Sequence, residues 1–91
     1  MIIWIVEGST GEYSDHTEWP VCAFKTEELA KEMVELCSAE YRRIKIRREE
    51  LGLERWEDLP ADCIHKYDKG FTEDYTGTNY QCYPVELRET I

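Results

Sequence analysis

The chain lacks an apolar run long enough to cross a bilayer. Its longest, Met1 to Val6, meets Glu7 and Gly8 at once, and no basic stretch precedes it. Neither a signal peptide nor a membrane anchor is therefore expected, and the predicted compartment is the cytoplasm. The four cysteines, Cys22, Cys37, Cys63 and Cys82, include no Cys-x-x-Cys knuckle, and Cys63 and His65 form the only close Cys/His pair. In a reducing compartment such cysteines read as packing thiols, so no metal and no cofactor are expected. Other chemistries lack their parts as well. Gly8 and Gly11 are ringed by Glu7, Glu12, Asp15 and Glu18, without the lysine and helix of a phosphate loop. Ser14, Asp15 and His16 are sequence neighbours and cannot adopt triad geometry together, and Cys63 with His65 has no orienting third group. The residues point to a non-enzymatic protein.

Positive charge is also scarce, and it is segregated. Eleven Lys and Arg face twenty Asp and Glu across 91 residues, for a formal charge of −9. Arg42, Arg43, Lys45, Arg47 and Arg48 fall within seven consecutive positions. Everywhere else acids dominate, a balance that repels polyanions and attracts basic partners. The basic run admits two readings. Glu40, Glu49, Glu50 and Glu54 lie close enough to pair with it along a helix, or Arg43 and Arg47 contact a partner such as nucleic acid. The acids also admit two: solubility, or recognition of a basic surface by Glu27, Glu28 and Glu35.

What is present suffices for one small core. With 42% hydrophobic and 12% aromatic residues the chain is predicted to form a single domain over 1–91. Ile2 to Val6 reads as the first strand, either central and covered on both faces or beginning under a helix, and Trp19 to Phe24 as its hairpin partner across a polar loop from Gly8 to Thr17. The length of that loop makes Tyr13, Asp15 and His16 surface candidates for partner binding. Thr26 is a predicted N-cap, Glu27 and Glu28 suit the first helical turn, and Gly52 suits the C-terminal cap, giving a helix from about Thr26 to Leu51. Leu29, Ala30, Met33, Val34, Cys37, Tyr41 and Ile44 form its expected core stripe. Leu53, Trp56 and Leu59 suggest a helical turn, and Ala61 to Tyr67 a strand or a turn. Tyr80 to Leu87 reads as a last strand, placed at an edge or a bulge by Pro84. The predicted fold class is α+β: a small antiparallel sheet, built of the N-terminal hairpin and a C-terminal strand, with one long helix packed across it.

The strand Ile2 to Val6, the Gly-Glu-Tyr-Ser-Asp loop at Gly11 to Asp15, Val-Cys-Ala-Phe at Val21 to Phe24, the helix entry at Lys25 to Ala30 and Tyr-Pro-Val-Glu-Leu at Tyr83 to Leu87 together resemble small α+β proteins of phages and prophages. The resemblance covers about half of the chain and transfers no catalytic residues. It implies an anti-defence role of the anti-CRISPR kind, in which an acidic protein inhibits a host nucleic-acid-handling complex by occupying its basic surface. Direct nucleic-acid binding through Arg42 to Arg48 is the alternative, no membrane partner is expected, and homodimerisation is left open.

Thiols that serve only as packing groups predict a zinc-free protein whose Tm is unchanged by chelator or reductant. Thermal melts with and without each reagent check this, because structural metal or disulfides would contribute several kcal/mol (about 2–5 for a disulfide) and a visible drop.

Overall fold

The computed structural model describes residues 1–54, 57 and 59–91. Strand β1 (Ile2–Thr10) is followed by a 3-10 turn at Tyr13–Asp15, β2 (Thr17–Phe24), helix α1 (Glu27–Glu50), a 3-10 turn at Ala61–Cys63 and β3 (Thr78–Glu86). The three strands form one antiparallel sheet in the order β2-β1-β3, so the β-prone N-terminal run is the central strand, packed under the helix on one face and, among the described residues, not covered on both. The fold is α+β, one helix on one sheet.

β1 runs further than its apolar pattern suggests. The expected loop begins at Gly8, but pairing continues to Thr10↔Thr17 on one side and Thr10↔Thr78 on the other. Gly8 belongs in the strand because the Trp19 indole lies across it. A Cβ at that position would stand 2.6 Å from the ring, a distance no side chain tolerates. The register slips between Val6 and Glu7, where Cys22 and Pro20 are the successive partners, so Val21 is the extra residue of a bulge beside Pro20.

The period of two divides β1 between two surfaces. Val6, Gly8 and Thr10 face the helix and are buried, together with Thr78, whereas Ile3, Ile5 and Glu7 point the other way. Thr26 caps α1 by accepting the Leu29 amide, and Gly52 ends it at φ +67° with its amide bonded to the Glu49 carbonyl. The core stripe holds at Ala30, Cys37 and Ile44, all fully buried, with Met33, Val34 and Tyr41 half-buried. Leu29 departs from the expectation. It is exposed, while Glu40, on the face expected to be solvated, is buried beneath Arg43.

At 24 residues α1 is about 36 Å long, and its C-terminal half is covered by the segment after Pro60. That segment is a turn and not a strand: Ala61–Cys63 is one 3-10 turn, and residues 64–77 are irregular. Trp56 of the expected helical turn lies outside the described residues. Pro84 does lie on an outer strand, as its missing amide requires, and so does Pro20.

Ile44 is fully enclosed, whereas Ile46 on the same helix is 56% exposed. Ile44→Ala should cost about 2–5 kcal/mol, and Ile46→Ala less than about 0.5 kcal/mol. Chemical denaturation of the two variants checks this helical phase.

Candidate binding surface

Three polar groupings survive folding, and their geometry separates structural from functional parts. The deepest centres on Asp68, 2% exposed. Its carboxylate accepts from Trp19 Nε1 at 2.9 Å, Tyr80 Oη at 2.8 Å and the Gly70 amide at 3.0 Å. His65 beside it accepts the Tyr67 and Asp68 amides at Nδ1, which leaves the Nε2 hydrogen to donate to the Cys37 carbonyl at 3.1 Å. These bonds join both outer strands, the helix and the 61–77 segment. Burial and the adjacent Asp68 push the Tyr80 hydroxyl far above its ordinary value, and burial pushes the Cys37 thiol up to about 12. Both groups stay protonated and unreactive at neutral pH. Cys63 and His65 are both buried, but His65 is directed to Cys37 and Tyr80, and Cys63 lies against Asp62. No cluster of three metal-ligating side chains occurs among the described residues.

The second grouping is the basic end of α1. Arg43 pairs with Glu40 and donates to the carbonyls of Asp62 and Ile64, clamping the 61–64 turn to the helix. Arg47 pairs with Asp62 at 3.1 Å and Glu50 at 3.4 Å. Arg48 pairs with Glu73, both side chains being largely buried, at 12% and 7% exposure. Of the five bases, Arg42 and Lys45 alone show no ion pair among the described residues. The two arginines singled out as contacts, Arg43 and Arg47, are thus half-buried parts of an internal network.

The third grouping lies on the sheet face that α1 leaves open. There Glu7 opposes Pro20 and Gln81, Glu18 opposes Ser9, and Tyr83 opposes Ile5. Glu7, Glu18, Trp19, Pro20 and Tyr83 line a shallow depression of about 270 Å³. Glu7 is 6% exposed, and its Oε1 has no hydrogen-bond partner. Hydrogen bonding to the Glu18 carboxyl, followed by desolvation, holds Glu7 above the usual glutamate range against the Tyr83 hydroxyl, which acts in the lowering direction, while Glu18 itself is held below that range by Glu7 and His16. His16 Nε2 lies 2.9 Å from Glu18 Oε1 and Nδ1 lies 3.2 Å from the Gly11 carbonyl; that carbonyl and then Glu18 raise the imidazole. No protein-family model matches the chain, and neither does any curated protein or solved structure. The site must be argued from its own geometry.

The residues proposed from sequence do not converge. Tyr13, 94% exposed and held at φ +53°, sits with Asp15 and His16 at one end of β2. Glu27 and Glu28 follow its other end, about 26 Å away along eight residues of strand. Glu35 lies on the exposed side of α1, and Glu27 pairs with Lys31. Only His16 of the set joins Glu7 and Glu18, two carboxylates that sequence reasoning treated as loop charge. The signal that could have found them is the alternation Ile3, Ile5, Glu7, which puts an acid in line with a sheet face.

The carboxyl pair has a sign-definite pH signature. A glutamate held above its ordinary value is unpenalised while protonated and opposes folding once pH rises through that raised value. Glu7→Gln should therefore raise Tm at pH 7, by roughly 4–8 °C for about 1 kcal/mol in a domain of this size, with the gain shrinking toward zero at pH 4. Paired melts at the two pH values check it.

Proposed function

We propose that this is a cytoplasmic, non-enzymatic binding protein that uses its acidic surface to occupy a basic, nucleic-acid-handling partner, in the manner of a phage anti-defence inhibitor. One observation carries the choice over direct nucleic-acid binding: Arg43, Arg47 and Arg48 are spent on Glu40, Asp62, Glu50 and Glu73 within the fold. A phosphate backbone would have to compete with those carboxylates for three of the five bases, in the field of a chain carrying −9. Internal pairing consumes four acids as well. The excess of carboxylates over bases that remains outside the network is what a groove lined with lysine and arginine would attract.

Among the described residues no helix is long and apolar enough to cross a membrane. The buried His65, Asp68 and Tyr80 are engaged by bonds to one another, to Trp19 and to backbone. A binding role asks for no reactive group. It asks for a rigid frame that holds charges at fixed spacing.

The expected outcome with a tagged protein expressed in its host is co-purification of a basic nucleic-acid-handling complex, released by added oligonucleotide and by rising salt. Purified alone, the protein should leave labelled single-stranded RNA and duplex DNA unbound even at about 50 mM salt. The double variant Arg43→Glu, Arg47→Glu should lower Tm, because Glu40 and Asp62 lose their counter-charges, while affinity for the partner changes little. Tight oligonucleotide binding that this variant abolishes would establish the nucleic-acid reading in place of this one.

A further inference from the structure

The sheet face opposite α1 has no cover among the described residues. Ile3, Ile5, Tyr83 and Val85 run across it, the last two each 39% exposed. These half-exposed side chains leave apolar surface on that face for a partner to cover. The manner of contact is restricted by the edges. Each outer strand carries a proline, Pro20 in β2 and Pro84 in β3, and the bulge at Val21 distorts the first edge further. Prolines and bulges deter an incoming strand, so the face and not the edge is left to meet a partner.

Glu7 specifies the chemistry of what meets it. A glutamate 94% removed from water, with one carboxylate oxygen lacking any donor, is costly in an isolated protein. Glu7 lines the depression together with Glu18 and Tyr83. A cationic side chain entering there would give Glu7 its missing donor and relieve the crowding of the two carboxyls. The rim is acidic as well, and a second copy of the chain would bring another net −9 toward it.

We propose that the open face of the sheet is the docking surface for a basic protein partner, and that an arginine or lysine side chain of that partner inserts between Glu7 and Glu18 while its apolar neighbours cover Ile3, Ile5 and Val85. This rests on the reading of the protein as an acidic binder and assigns that activity to one surface. The alternative acidic surface, the outer side of α1 with Glu28, Glu32 and Glu35, carries no buried unsatisfied group.

The test is a two-dimensional NMR titration of the full chain with a hexa-arginine peptide at low salt, repeated with Glu7→Gln, Glu18→Gln and Glu35→Gln. The expected result is shifts concentrated at Ile5, Glu7, Glu18 and Tyr83, with affinity reduced about tenfold or more in the first two variants, as loss of a charge-assisted bond implies. Glu35→Gln should bind like the unaltered protein. Glu7→Gln should bind worse while melting higher at pH 7, opposite signs that a purely structural residue would not produce. Shifts gathered on Glu28, Glu32 and Glu35, with Glu7→Gln binding normally, overturn this surface and leave the acidic-binder reading standing. Absence of saturable peptide binding to the unaltered protein overturns both.

Discussion

The Asp68 carboxylate is the constraint on which the rest of the molecule depends. A sheet of three strands and one helix encloses very little: among the described residues the fully buried apolar side chains are Val6, Ala30, Cys37 and Ile44. Burial at about 25 cal/mol per Å² over so small a core leaves a thin margin against chain entropy. Asp68 and His65 add directional bonds where apolar area is short. Through Trp19, Tyr80 and the Cys37 carbonyl they fix the irregular 61–77 segment to both outer strands and the helix. A second latch repeats the device at the sheet's end. Thr10 Oγ1 donates to the Gly77 carbonyl and accepts from the Asp74 amide, and Thr78 donates to Thr72. Such networks specify one arrangement because a half-made version costs more than an apolar replacement.

The same irregular segment decides the electrostatics. By docking on α1 it brings Asp62 and Glu73 to Arg47 and Arg48, turning a cluster of free positive charge into ion pairs. The Arg48–Glu73 pair is shielded from solvent and so retains much of its Coulomb attraction, whereas Arg47 shares its charge between two exposed acids and gains little. Structure thus reduces the exception in the surface field to Arg42 and Lys45, the two bases of the run with no ion pair among the described residues. The acidic character that composition displays on average becomes the character the molecule presents.

Glu7 runs against this economy. Asp68 accepts three bonds; Glu7 is nearly as concealed and has an oxygen with none. Protein interiors seldom tolerate that, and where they do the usual reason is a role outside folding. The difference between the two acids, one saturated and one unsatisfied, distinguishes the side of the sheet that holds the fold together from the side that faces outward.

Local physics made much of this legible in the sequence. The β-prone run Ile2 to Val6, the Thr26 cap, the 3.6-residue stripe through Ile44 and the Gly52 stop each depend on neighbours within a turn or two, so strand, helix and fold class could be read directly. Pro84 announced an outer strand for the same reason, a missing donor. The site could not be read that way. Glu7 and Glu18 are eleven positions apart and become neighbours only through a hairpin register set by a bulge, and the Trp19 ring over Gly8 extends β1 beyond its apolar pattern. The pairing of Arg47 with Asp62 and of Arg48 with Glu73, and the clamping of Arg43 onto the Asp62 carbonyl, likewise wait on residues 61–73 folding back. Composition determined that this protein is acidic and that it carries bases in one place. Only the tertiary structure decided which of those charges solvent and a partner can reach, because Coulomb pairing depends on separations in space that the order of residues does not contain.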